Sequence, residues 1–324
     1  MENHDKQSSL QAETTVSPWM TFFTPTYNRC HTLHRVYDSL VNMIKPIDDG
    51  KTIDFEWVIV DDGSCDDTYT LVKKWCDEDK IPIRYYFQRN QGKHVATNFA
   101  TNIAHGKMMT IIDSDDSMFD NTLCIFWKEW NKIPDGIRHK FKGVTARCID
   151  PDSGKIVGSK LPMQPYYTHP QDMRFRDHIT GEMHGFNRVD VMKEFPFPVF
   201  EEKTHFCPEA IVWFEMGKKY LESIVDSPVR TYFRDTGNAI TRGNTSNRSR
   251  ANYYLWQWEL NNIVLKYLFR SPKEMIKAVV GISMDGFRTG RSLSKILKDV
   301  TLLKCKIMVL LFSPIGLFLS KREA

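Results

Sequence analysis

Between Trp19 and Ile112 short apolar runs and amphipathic stretches take turns, and few folds accommodate that rhythm. Met20 to Phe23 reads as a strand, and Leu33, Val36, Tyr37, Leu40, Val41 and Ile44 then recur at helical spacing. Phe55 to Val60 is a second strand, followed by a helix whose face carries Leu71, Val72 and Trp75. Ile83 to Phe87, Lys93 to Ala104 and Met108 to Ile112 supply a third strand, a third helix and a fourth strand. Such alternation predicts an α/β fold with a mostly parallel sheet flanked by helices. In these sheets ligands bind beyond the carboxyl ends of the strands, so the polar residues at those ends are the functional candidates.

Each expected strand closes on such a segment. The first leads into Thr24-Pro25-Thr26-Tyr27-Asn28-Arg29, the second into Asp61-Asp62-Gly63-Ser64, the third into Asn90-Gln91-Gly92-Lys93-His94 and the fourth into Asp113-Ser114-Asp115-Asp116. Three carboxylates at the mouth of a buried strand want a cation, and a hard divalent ion such as Mg²⁺ or Mn²⁺ takes oxygen ligands while leaving positions for substrate phosphates. The alternative is an acidic turn or a helix cap. Asp62 can accept a hydrogen bond from a nucleobase N–H, with Gly63 giving the backbone a tight exit, or it can simply cap a turn. Lys93 and His94 open a helix, where free backbone N–H groups and cationic side chains attract phosphate; they can equally form a solvated first turn. No glycine-rich dinucleotide fingerprint follows the first strand, and no GxxxxGK[ST] is present, which removes the main support for a Rossmann dehydrogenase or a P-loop NTPase.

Composition narrows the field further. The 324 residues carry 44 Lys plus Arg against 40 Asp plus Glu, a balance of +4 that is too slight for a surface built to bind nucleic acid. Seven scattered cysteines include no CxxC pair, which fits a reducing compartment. Residues 1–17 are polar and lack the apolar core of a secretory signal, so they are expected to form a flexible cytoplasmic tail.

PTYNR, VIVDDGSCDDT, NQGKHVATNFATNIAHGK and IIDSDD, in that order, resemble the family 2 glycosyltransferases of the GT-A fold, especially bacterial enzymes building capsular or exopolysaccharide. The resemblance continues through Gly181-Glu182-Met183-His184, Phe195-Pro196-Phe197-Pro198, Glu201 to Glu209 and Trp213, and covers roughly residues 18–240. It implies metal-dependent sugar transfer, with Mn²⁺ or Mg²⁺, from a nucleotide-sugar donor, usually a UDP-sugar, to an acceptor hydroxyl, usually with inversion.

Carried over by position, the resemblance assigns Pro25, Tyr27 and Arg29 to the nucleotide pocket and Asp62 to the base. Lys93, His94, Asp113, Ser114 and His184 complete the nucleotide-sugar site, with Asp113 near ribose and metal. Asp115 becomes the direct metal ligand and Asp116 a second one. A base is needed to take the proton from the acceptor hydroxyl, and Glu209, in Cys-Pro-Glu-Ala, matches the family's catalytic carboxylate. Many members carry a paired acid there; this chain has Pro208-Glu209, with Glu201 and Glu202 as competitors. Glu209 can also complement a helix dipole, and His184 can be a hydrogen-bonded structural residue.

Beyond Leu221 the rhythm ends. Val229 to Phe233 reads as a strand, and Asp235 to Arg250, with Gly237, Arg242, Gly243, Arg248 and Arg250, as a basic loop. Residues 18–240 are thus expected to form the catalytic domain and 241–324 a basic loop with a helical extension. Trp256 and Trp258, with Tyr253, Tyr254, Leu255 and Leu260, form either a core face or a subunit contact. Ile307 to Leu319 is mostly apolar and flanked by Lys295, Lys298, Lys304, Lys306, Lys321 and Arg322. Thirteen helical residues rise only about 20 Å against a hydrocarbon core of roughly 30 Å, and Pro314 is expected to interrupt the helix. The segment therefore reads as a helix lying on the cytoplasmic face of the inner membrane, which suits a lipid-linked glycan acceptor; packing on the catalytic domain is the alternative. A nucleotidyltransferase and a non-catalytic sugar-nucleotide binding protein are the rival functions. The first lacks its glycine-rich triphosphate loop, and the second predicts donor binding without turnover.

Overall fold

The computed structural model describes residues 10–11, 17–43, 50, 52–200, 204–233 and 245–322. They fall into two units: the first takes the described residues of 1–170, 179–199 and 215–236, the second those of 171–178, 200–214 and 237–324. The chain thus makes two excursions into the second unit before residue 240, at 171–178 and 200–214. Phe175 and Phe214 explain them, because both pack into the second unit's own apolar core.

The first unit begins with β1 (Leu10–Gln11), β2 (Met20–Thr26), α1 (His34–Asn42), β3 (Phe55–Asp61), α2 (Thr68–Glu78), β4 (Ile83–Phe87), α3 (Lys93–Ile103) and β5 (Met108–Ile111). It continues with β6 (Ser117–Met118), α4 (Thr122–Lys132), α5 (Asp135–Arg138), β7 (Phe141–Ile149) and β8 (Tyr166–Thr168). After α6 (Pro170–Phe175) come β9 (Met183–Arg188) and α7 (Val189–Glu194), and after α8 (Ala210–Met216) comes β10 (Leu221–Thr231). One sheet runs β1-β4-β3-β2-β5-β9-β7-β10-β6, with β8 on β10. Strands β4, β3, β2 and β5 are mutually parallel, and β9 lies antiparallel between β5 and β7.

Helices cover a parallel sheet on both faces, so its central strands must be apolar along their whole length. Every residue of β2 and β3 is buried, as their near-continuous apolar sequences require. Among the polar residues they also bury is Glu56 of β3, whose carboxylate accepts from Arg84 at 2.8 Å, from the Thr21 hydroxyl at 2.7 Å and from the His105 main-chain N–H at 2.7 Å. On one face Tyr37 of α1 stacks on Trp75 of α2 at 4.4 Å between ring centroids. Strand β2 also extends further than its apolar run, taking in Pro25 and Thr26. A proline is tolerated there because β2 pairs with β5 only as far as Phe23. Since β3 and β5 leave β2 on opposite sides, the strand order reverses at β2, and a crevice for a ligand opens at such a reversal.

The second unit is helical: α9 (Thr245–Asn262), α10 (Val264–Tyr267), α11 (Pro272–Arg288), α12 (Leu293–Asp299) and α13 (Leu303–Ser320). Tyr253, Leu260, Tyr267, Met275, Val279, Ile282, Ile296 and Val309 form its core. Trp256 packs against that core, and its indole N–H donates to Asp285 at 2.9 Å. Two expectations fail here. Arg248 and Arg250 lie in α9 and not in a loop; Gly237, Arg242 and Gly243 fall outside the described residues. Pro314 does not interrupt the last helix, which runs for 18 residues through it. The carbonyl of Leu310, four residues earlier, loses its usual N–H donor at Pro314 and accepts instead from the Ser313 hydroxyl at 2.9 Å.

Candidate active site at the carboxyl ends of the strands

The loops after β2 and β3 are tied to each other before any ligand is considered. The Asn28 N–H donates to Ser64 Oγ at 2.8 Å, the Cys65 N–H to Asn28 Oδ1 at 2.8 Å, and the Cys30 N–H to Asp66 Oδ2 at 3.0 Å. Asp61 closes the turn from within, accepting from the Ser64 N–H at 2.7 Å and from the Tyr85 hydroxyl at 2.7 Å. Burial pushes its carboxyl up. Gly63 has φ +92° and passes Asn90 so closely that an added Cβ would lie 3.0 Å from the Asn90 nitrogen. Asp62 is buried and fully engaged: Oδ1 accepts from Gln88 Nε2 at 2.7 Å and the Gln91 N–H at 2.8 Å, and Oδ2 from the Gly92 N–H at 2.8 Å. It therefore shapes the loop that leads into α3, whether or not it also meets a base.

After β5 the three carboxylates have different surroundings. Lys93 Nζ at the start of α3 donates to Asp113 Oδ1 at 2.5 Å. Burial works to raise the Asp113 carboxyl, but the Lys93 and Arg230 cations outweigh it and hold the group below the usual carboxylate range. Asp116 is turned inward onto Arg230 of β10, with Nη1 to Oδ2 at 2.8 Å. The same guanidinium donates through Nη2 to Glu182 at 2.6 Å and through Nε to the sulfur of Cys148 at 3.4 Å. Burial, helped by the charges of Asp113 and Asp115, nevertheless pushes Asp116 up to about 7 against the pull of Arg230. Asp115 lies between them, half-buried, with its main-chain carbonyl held by Arg35 Nη1 at 3.0 Å. Among the described residues its carboxylate takes no hydrogen bond or ion pair.

The remaining sequence candidates divide by exposure. Tyr27 stands 48% exposed, and Arg29 is half-buried with its carbonyl capping the turn into α1. Pro25, His94, Ser114 and His184 are buried. His184, on β9, shares a 2.9 Å hydrogen bond with the Thr110 hydroxyl, and burial together with Arg230 lowers it well below the ordinary histidine value, so the ring is neutral. Glu209 precedes α8, where its carbonyl accepts from the N–H groups of Val212 and Trp213; it belongs to the second unit. Burial and the charge of Glu209 push the neighbouring Cys207 thiol up to about 12. Glu201 and Glu202 fall outside the described residues. Sequence reasoning missed Arg230 and Glu182 as site residues. The only signal for them was a cation inside an apolar strand and an acid two residues before His184.

Asp115 has the chemistry of a hard-cation ligand, an oxygen donor no described side chain neutralises. Among the described residues no group of three or more His, Cys, Asp or Glu side chains is arranged to hold a metal ion, so a cation at Asp115 would complete its shell from donor phosphate and water.

Acidic residues thus stand where the strand order of this mixed α/β sheet reverses, and comparison with known proteins gives the family. The sequence profile of glycosyl transferase family 2 matches residues 21–189, and the chain belongs to that family. A GalNAc(5)-diNAcBac-PP-undecaprenol beta-1,3-glucosyltransferase of Campylobacter jejuni is 29% identical over 253 residues, covering 76% of this chain and 74% of that protein. An uncharacterised glycosyltransferase of Mycoplasma genitalium is 30% identical over 112 residues, 34% of this chain and 36% of that protein. Validoxylamine A glucosyltransferase of Streptomyces hygroscopicus is 32% identical over 99 residues, and the match spans 22% of its length. Residues 1–349 of Staphylococcus aureus TarS, solved with UDP-GlcNAc, share the fold with a TM-score of 0.56 at 16% identity, over 92% of this chain and 87% of that one. The fold is GT-A, and the chain spans only about a third or less of the length of the Mycoplasma and Streptomyces relatives.

Proposed function

We propose that the enzyme transfers a sugar from a UDP-sugar to a hydroxyl of a lipid-linked glycan, with a divalent cation and with inversion at the anomeric carbon. The observation that carries the reading is the unneutralised Asp115 carboxylate beside the Lys93–Asp113 pair at the strand-order reversal. The name of the Campylobacter relative, which describes an undecaprenol diphosphate-linked substrate, supports the acceptor class.

Within this reading Asp115 holds Mn²⁺ or Mg²⁺, and Asp116 stays on Arg230 and contributes at most field. Such a cation supplies Lewis-acid stabilisation of the departing diphosphate. Asp113, kept ionised by Lys93, accepts from a ribose hydroxyl, while the loop pinned by Asp62 and the Tyr27 ring border the nucleotide. Glu209 accepts the proton of the attacking hydroxyl as the new glycosidic bond forms and the bond to the diphosphate breaks. Because the acceptor is anchored in a bilayer, the enzyme works at the cytoplasmic membrane surface.

The test is nucleotide release from a panel of UDP- and GDP-sugars with Mn²⁺ or Mg²⁺ and a lipid extract as acceptor source. Metal-dependent release from one donor is expected, abolished by Asp115→Ala and slowed by roughly 10²–10⁴-fold by Glu209→Gln. Asp115→Ala should melt with wild type, since the side chain has no described partner. Full activity in Asp115→Ala, or metal-independent release, overturns the reading.

A further inference from the structure

Helix α13 carries an apolar face that the second unit leaves uncovered. Cys305, Val309, Ser313 and Gly316 are its buried side. Gly316 approaches α11 so closely that an added Cβ would sit 2.5 Å from Ser283 Cβ and 2.9 Å from the Met284 nitrogen, and Arg288 Nη2 donates to the Leu319 carbonyl at 3.2 Å. These contacts set the two helices side by side and running the same way. On the other side stand Leu303, Ile307, Leu310, Leu311, Ile315 and Phe318, with Leu303, Leu311 and Phe318 exposed by 72%, 69% and 57%. At 3.6 residues per turn the exposed positions sweep about 160° of the helix circumference. Lys304 is the one charged residue within that sweep, and it lies at the helix start.

We infer that this face of α13 is a membrane-docking surface for anionic phospholipid, seated parallel to the bilayer plane and not across it. It rests on the lipid-linked acceptor reading for its purpose, though not for its evidence. By length and composition α13 is long and apolar enough to span, but one side of it is packed on a helix that carries Lys273, Glu274, Lys277, Asp285 and Arg288, which no hydrocarbon core accepts. A helix with an apolar outer side, held on so charged a partner, can enter only the interface. The charges choose the occupant. Between Val300 and Arg322 there are four cations, Lys304, Lys306, Lys321 and Arg322, and no acid. Two of those lysines stand in the first turn, where the helix dipole disfavours a cation, so their placement serves something outside the helix. A second copy of the chain is the poorer partner: parallel pairing sets Lys304 against Lys304, and antiparallel pairing sets Lys304 and Lys306 against Lys321 and Arg322. An anionic plane meets all four favourably and takes up the apolar stripe.

Co-sedimentation of the full chain with phosphatidylcholine vesicles, with and without phosphatidylglycerol, tests this. Wild type should bind the mixed vesicles, bind neutral ones weakly, and be released by high salt. Ile307→Glu with Leu311→Glu should abolish binding, and Lys304→Gln with Lys306→Gln should weaken it by roughly fivefold for each basic residue lost. Both pairs should keep the wild-type melting temperature and donor hydrolysis in detergent, because Lys304, Ile307 and Leu311 face outward and Lys306 is only half-buried. Undiminished vesicle binding by the double Glu variant overturns the inference. So does equal binding to neutral vesicles, or a wild-type dimer that ignores vesicles and becomes monomeric with the Glu pair. Absent donor turnover in wild type alongside intact vesicle binding strikes at the glycosyltransfer reading alone.

Discussion

Arg230→Met should destabilise the first unit in a way that depends steeply on pH. Arg230 is buried, with Asp116 at 2.8 Å, Glu182 at 2.6 Å and Cys148 at 3.4 Å. Removing one partner of a buried pair typically costs about 3–5 kcal/mol, since the other charge is left uncompensated. Asp116 has an escape from that cost, because burial and its acidic neighbours already push it up to about 7. At pH 6 the folded protein mostly holds the proton, and the substitution removes little more than hydrogen bonds, about 1–2 kcal/mol. Above 7 wild-type Asp116 ionises against Arg230, whereas the variant must keep its carboxyl protonated. That adds about 1.4 kcal/mol per pH unit, or roughly 2 kcal/mol by pH 8.5, bringing the total to about 3–4 kcal/mol. The sign is that of a raised carboxyl: the folded state binds a proton the unfolded chain has released, so stability is highest below the ordinary aspartate value of 3.8 and declines as pH rises. In wild type the decline ends near 7; in the variant it continues. Urea unfolding followed by tryptophan fluorescence at pH 6.0 and 8.5, for wild type, Arg230→Met and Arg230→Met with Asp116→Asn, measures this. Equal losses at both pH values, or a double variant that keeps the pH dependence, refutes it.

Two loop substitutions test the geometry around Asp62. Asp62→Asn sets an amide donor against at least one of the donors now bonded to the carboxylate, so a loss of about 1–3 kcal/mol and faster hydrogen exchange at Gln91 and Gly92 are expected. Gly63→Ala forces a Cβ into a positive-φ turn 3.0 Å from the Asn90 nitrogen, which should lower stability by about 1–2 kcal/mol and raise the KM for donor more than it lowers kcat, as binding and thermal melts would show.

The four strands and their polar ends were legible because a parallel sheet buried on both faces writes apolar runs into the chain and stops them where the ligand crevice begins. Local signals misled at two prolines. Pro25 reads as loop and lies in β2, because its neighbour β5 has stopped pairing by then. Pro314 reads as a break and lies within α13, because Ser313 serves the carbonyl it leaves open. Arg230 was illegible for a different reason: its bond to Asp116 spans 114 positions, and nothing local distinguishes a strand cation with a buried partner from one that reaches solvent. Glu182 sits inside a segment whose resemblance was visible, but its role depends on that same distant guanidinium.

The acidic cluster shows why residue type alone could not divide its labour. Three ionised carboxylates this close repel one another, and each must be compensated or left to seek a cation. The fold compensates Asp113 from α3 through Lys93 and Asp116 from β10 through Arg230, two elements far apart in sequence. Asp115, alone of the three, has its side chain free among the described residues while Arg35 fixes its main chain. An arrangement with two flanking acids already paired leaves a single negative site in a position set by three different elements. To act as the second ligand that the resemblance offered beside Asp115, Asp116 would have to abandon a buried guanidinium that has Glu182 as its other carboxylate partner. The geometry favours one ligand over two, so Asp116→Asn should retain metal-dependent turnover where Asp115→Asn loses it.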